Sequence, residues 1–167
     1  MARTLTPAAD AYKMSSTYLS DDNDDVDIPV DPFELARIRG VEVLYDNDLP
    51  LDISGYLDWD DEGAFIVING NHHLNRQRFT CAHEMGHHTD ILNHDLERER
   101  SHRDRESSRG TNIREVYANR FAAALLMPAD AVRSRFEGTT DVGELARIFR
   151  VSSESMRIRL KNLRLVQ

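Results

Sequence analysis

Five consecutive residues, His83-Glu84-Met85-Gly86-His87, set two imidazoles four positions apart with a carboxyl beside the first. On a helix, positions four apart lie about 40° from each other around the axis, so both rings leave one face and can share a metal ion. Glu84 lies about 100° round from His83, too far to join the pair as a ligand. It is near enough to reach a water at the metal and act as its general base. The competing reading is an amphipathic helix whose histidines edge the core, and a third ligand decides between the two.

Glu115 is the stronger candidate for that ligand. In the helical segment 113–127, Ile113, Val116, Tyr117, Phe121, Ala124 and Leu125 make one apolar face, while Glu115, Asn119, Ala122 and Leu126 form a second stripe nearly opposite. A solvated stripe would not end in Ala122 and Leu126, so the helix is expected to be buried on two sides, with Glu115 turned to the histidines. Asn119, one turn on, can take a hydrogen bond from a ligand imidazole. Asp90 is kept as second choice or as an outer partner of the ligands. A longer motif with a third histidine fails, because Asp90 and Asn93 stand where Gly and His would be needed. Ala82 and Gly86 share a stripe beside the histidines, which would let another helix approach closely, and Cys81 faces away into the core.

The elements that must position these groups are legible from their punctuation. Asp31 caps a helix starting at Pro32 and ending before Gly40. Residues 41–45, 55–59 and 64–68 read as strands, the last two joined by Asp60-Asp61-Glu62-Gly63. Helices follow over 75–91 and 113–127, the second stopped by Pro128, with a charged, arginine-rich connector over 93–110 between them. The class is therefore α+β, a small and mostly antiparallel three-stranded sheet packed on helices. Residues 1–27 read as an acidic, disordered leader, 28–132 as the main body, and 133–167 as a helical segment packed on the same core.

The 167 residues suit one core, and the net charge of −8 disfavours a generally basic nucleic-acid binder. The single cysteine and the absence of an apolar span or signal core point to a reducing, cytoplasmic setting without membrane contact. Charge is unevenly spread. Seven Asp fall within 1–31, whereas 145–167 carries six basic residues against Glu154 alone.

The block from Phe79 to His87, followed by Glu115-Val116-Tyr117-Ala118-Asn119-Arg120-Phe121-Ala122-Ala123-Ala124-Leu125-Leu126-Met127-Pro128, resembles the ImmA/IrrE family of metallopeptidases. That resemblance implies a zincin-like core and a gluzincin-like zinc endopeptidase, with His83, His87 and Glu115 as ligands and Glu84 as general base; the donor set leaves Mn²⁺ as a second option for the metal. The resemblance also implies strand 64–69 at the sheet edge beside the metal, and a protein substrate: a transcriptional repressor of the helix-turn-helix type, encoded nearby. Tyr56, His88, His94, His102 and the connector arginines are candidates for stabilising the oxyanion.

Residues 145–160 have the spacing of two short helices joined by a turn, with Arg150 where such a turn often carries Gly. Arg157, Arg159 and Lys161 could contact DNA or a partner. A helical pair closing the core is the favoured reading. The alternative function is a non-catalytic, metal-containing module that binds a repressor, an antitoxin-type partner or DNA through this end.

Overall fold

A computed structural model describes residues 6–18, 27–94 and 113–167. Its elements are α1 (Pro7–Tyr18), α2 (Pro32–Ile38), β1 (Glu42–Asp46), β2 (Gly55–Trp59), β3 (Ala64–Asn69), α3 (Leu74–His94), α4 (Ile113–Leu126), α5 (Ala129–Gly138), α6 (Val142–Phe149) and α7 (Ser153–Asn162). The class is α+β with a three-stranded sheet.

Local chemistry explains most boundaries. The Asp31 carboxylate accepts from the Phe33 and Glu34 amides, and Pro32 opens α2 with a φ already suited to a helix. Gly40, at φ +70°, lets the chain leave α2 for β1. Asp60 Oδ1 accepts from the amides of Glu62 and Gly63, tightening the turn that pairs β2 antiparallel with β3.

The strand order is β1-β3-β2. β1 pairs parallel with β3, so the directions are evenly split rather than mostly antiparallel. The cause is the path of the chain. Loop 47–54 carries it past one strand position, and the β2–β3 hairpin then folds back into the slot. β3 is consequently the central strand, not the edge beside the histidines that the family resemblance implies. Ile66, Ile68 and Asn69 are fully buried on it. Asn69 Nδ2 donates to the carbonyls of Leu49, Pro50 and Ile53 and so holds the loop that makes the insertion possible. α3 packs under β2 and β3, which makes β2 the outer strand that flanks the histidine-bearing helix.

The expected disordered leader needs correction over Pro7–Tyr18. This segment is α1, and it packs along α4 with Ala11, Met14, Ser15 and Asp10 buried. Only part of that face is apolar, which is why hydrophobic periodicity misses it. At the other end, Leu145, Ala146, Phe149, Val151, Met156 and Leu160 join the same core as β3, α3 and α4. Among the described residues, no helix is long and apolar enough to cross a membrane.

Candidate metal centre

Among the described residues, α3 and α4 make the most extensive helix pairing. Gly86 makes it possible. A Cβ added there would lie 2.9 Å from Ala118 Cα and 3.2 Å from Phe121 Cβ, so only glycine lets α4 come this close. The small-residue stripe expected beside the histidines thus serves as the crossing point of the two helices.

That crossing brings three side chains together. His83 Nε2 and His87 Nε2 are 3.1 Å apart. Glu115 Oε2 lies 3.3 Å from the first and Glu115 Oε1 3.0 Å from the second. His83 and His87 are 1% and 6% exposed, and all of these atoms fall within 4.8 Å of one another. Asn119 Oδ1 accepts from His83 Nδ1 at 3.0 Å. A carbonyl oxygen at Nδ1 places a proton there and turns the Nε2 side of the ring to the cluster.

Two imidazole nitrogens and a carboxylate cannot all present lone pairs to one another at this range without a shared proton or a cation. With a proton shared in the cluster, hydrogen bonds from His83 and His87 hold the Glu115 carboxyl well below the usual carboxylate range, against the opposing effect of partial burial. Its negative charge is therefore available at neutral pH. Two nitrogens and one oxygen match the donor set of a catalytic zinc site. With metal–ligand bonds of about 2.0–2.2 Å, tetrahedral ligand atoms sit roughly 3.3 Å apart, close to the spacing seen here. The Glu115 side chain is 37% exposed, so the cluster has a side open to solvent, as a catalytic rather than a sealed structural site requires.

Glu84, next to His83 on α3, is 2% exposed. Asp90 is also buried, but it lies outside the three-residue cluster and its charge acts on Tyr117. The Cys81 thiol donates to the Pro32 carbonyl. Burial, with Asp31 and Glu84 nearby, pushes it well above the usual thiol range, which fits an inert core position. Tyr56 stands on β2 and His88 is buried on α3. The side chain of His94, together with His102 and the connector arginines, lies outside the described residues.

The basic end divides. Arg157 and Lys161 are exposed on α7, whereas Arg159 turns inward and donates Nε to the Met127 carbonyl at 2.9 Å. It also lines a cavity of about 610 Å³ between α1, α5 and the end of α4. Sequence reasoning missed a further polar contact, Tyr117 on α4 donating to Asp10 on α1. Its partners are 107 positions apart, so no local pattern marks them.

Comparison with known proteins agrees with this geometry. The peptidase family model described as IrrE N-terminal-like domain matches residues 36–161. "Radiation response metalloprotease IrrE" of Deinococcus radiodurans is 34% identical over 127 residues, which are 72% of this chain and 37% of that protein. Its namesake in Deinococcus deserti is 40% identical over 101 residues, 58% of this chain and 36% of its own length. "Uncharacterized immunity region protein 2" of Bacillus phage phi105 is 34% identical over 110 residues, 65% of each chain. The chain thus spans just under two-thirds of the phage relative and little more than a third of the Deinococcus proteins. A Mycobacterium tuberculosis transcriptional regulator shares the fold, with a TM-score of 0.57 at 23% identity over 78% of this chain and 39% of that one. With the matched region running from within α2 to within α7 and enclosing every residue of the cluster, the chain belongs to the ImmA/IrrE family of metallopeptidases.

Proposed function

We propose that this chain is a zinc-dependent endopeptidase that cleaves a helix-turn-helix repressor and so relieves repression. The observation that carries the reading is the convergence of His83, His87 and Glu115, with Glu84 buried one residue along α3. These three residues would hold the metal. When bound, Zn²⁺, or Mn²⁺ in its place, supplies Lewis acidity that makes a water acidic at neutral pH and draws charge from a peptide carbonyl.

The chain's own residues do the rest. Glu84 takes the proton from the attacking water as its oxygen bonds to the carbonyl carbon, then returns it to the leaving amine as the C–N bond breaks. Asn119, through His83 Nδ1, fixes the ring so that Nε2 faces the cluster. Glu115 contributes the negative charge that balances the cation. The repressor as substrate is supported by the phage relative's name, which places that protein in an immunity region.

The test is co-expression with the helix-turn-helix repressor encoded nearest to this gene. Wild type should cut it once. Glu84→Gln should keep the metal and lose roughly 10² to 10⁴ in rate. If the metal-loaded wild type leaves such repressors intact, the peptidase reading fails. Relief of repression that survives Glu84→Gln would favour the non-catalytic module instead, acting through exposed Arg157 and Lys161.

A further inference from the structure

The helix α1 lies outside the matched family region, which begins at residue 36, yet it is packed on the helix that carries Glu115. Its inner face is unusual in containing a carboxyl group. Asp10 is only 4% exposed and accepts, at Oδ2, the hydroxyl of Tyr117, itself 8% exposed. A polar pair in a core carries a desolvation cost that apolar side chains filling the same space would avoid.

The place of the Tyr117 hydroxyl indicates its use. Asp10 reaches it from α1, and the Asp90 charge acts on it from α3. The bond joins α1 to α4 where both helices also pack against α3. Tyr117 follows Glu115 by two positions, and Asp90 follows His87 by three, so this junction sits within a turn of a cluster residue on α4 and on α3. Glu115 itself belongs to the first turn of α4, and Ile113 at its start is 85% exposed. First turns fray unless something beyond their own hydrogen bonds holds them. The Tyr117 ring stacks near Phe121, at 6.4 Å between centroids, so the residue is fixed at its base by the core and at its tip by α1.

We infer that α1 is a positioning element for the metal centre: Asp10 holds Tyr117, and through it the first turn of α4, so that Glu115 stays in register with His83 and His87. This rests on the metal-centre reading above. Asp10 and Tyr117 touch neither metal nor substrate. Without the contact, α4's first turn gains rotational freedom, and the Glu115 oxygens no longer keep their 3.0 and 3.3 Å approach to the two Nε2 atoms.

The experiment uses the full chain and reads zinc affinity by competition with a chromophoric chelator, well below the melting temperature, beside the melting temperature of the metal-free protein. Tyr117→Phe keeps the ring and removes only the hydroxyl; Asp10→Ala removes the acceptor; Asp10→Asn retains one. Tyr117→Phe and Asp10→Ala should each weaken zinc binding at least tenfold, and Asp10→Asn should restore it to within threefold of wild type. Variants that melt lower but bind zinc within twofold of wild type would reduce α1 to packing and overturn the inference. A wild type that binds no zinc would instead overturn the metal reading on which it rests.

Discussion

Two stretches of the same helix use buried polar side chains in opposite ways. In the first turns of α3, Asn75 Nδ2 donates to the Val151 carbonyl at 3.0 Å, and Arg78, 4% exposed, donates to the carbonyls of Val30 and Arg150. Those bonds tie α3 to the entry of α2 and to the α6–α7 turn, and Arg159 adds a tie from α7 to Met127. From His83 to His87 the polar groups meet one another, with Glu115 completing the set. Backbone carbonyls satisfy the first region. The second is satisfied by ionisable side chains that a shared proton or a cation can bridge. A buried polar group answered by main chain serves the fold, and one answered chiefly by other ionisable side chains serves chemistry.

Substitutions in the two regions should therefore move different measurements. Glu115→Ala has the largest expected effect, on the metal alone. Zinc sites gain 10–16 kcal/mol from four ligands, so loss of one removes roughly 3 kcal/mol, more than a hundredfold in affinity. The metal-free protein should change stability by less than about 1 kcal/mol, because the Glu115 carboxylate is partly solvated. Chelator competition and thermal melts separate the two readings. Arg78→Met is the converse. Leaving the Val30 and Arg150 carbonyls without this charged donor should cost about 3 kcal/mol, roughly 6–12 °C in a chain this size, with zinc affinity within twofold. Equal effects of both substitutions on both measurements would erase the distinction.

How far the two regions could be read from sequence differs for a physical reason. The pentapeptide carries its own geometry, since a spacing of four on a helix fixes a shared face, and Glu115 was marked by a stripe ending in Ala122 and Leu126. Asp31, Pro32 and Gly40 likewise act within a few residues of themselves. Nothing local marks Arg78 or Arg159, whose acceptors are 48 to 72 and 32 positions away. The same limit hid α1, because the burial of Asp10 makes sense only beside Tyr117. It also hid the parallel β1–β3 pairing, which depends on where the hairpin returns and not on the composition of either strand.

Gly86→Ala should affect both measurements, since the α3–α4 crossing holds the core and aligns the cluster at once. The new methyl meets Ala118 backbone at 2.9 Å, so α4 must shift by several tenths of an ångström. Overpacking of this kind costs about 1–3 kcal/mol. Zinc affinity should fall with it, by roughly tenfold or about 1.4 kcal/mol, because Glu115 rides on the displaced helix. A variant that melts lower with its zinc affinity intact would show that the cluster tolerates a looser crossing of α3 and α4.

Arg150→Gly tests the smallest difference, and its expected sign is favourable. Arg150 ends α6 in the left-handed region at φ 50°, ψ 50°, a conformation that costs a side-chain-bearing residue about 1–2 kcal/mol relative to its usual backbone. Its working parts are in the main chain: the amide donates to Ala146 and Arg147, and the carbonyl accepts from Arg78. Glycine keeps all of these and relieves the strain. It also removes a guanidinium whose charge opposes that of Arg78, which burial already disfavours. The greater entropy of an unfolded glycine offsets part of the gain, leaving about 0.5–1 kcal/mol, or roughly 1–4 °C. Zinc affinity should not move, because the turn speaks to the fold through Arg78 and not to the cluster. A drop in melting temperature would mean that the Arg150 side chain itself, and not only its backbone, holds the α6–α7 pair to the body.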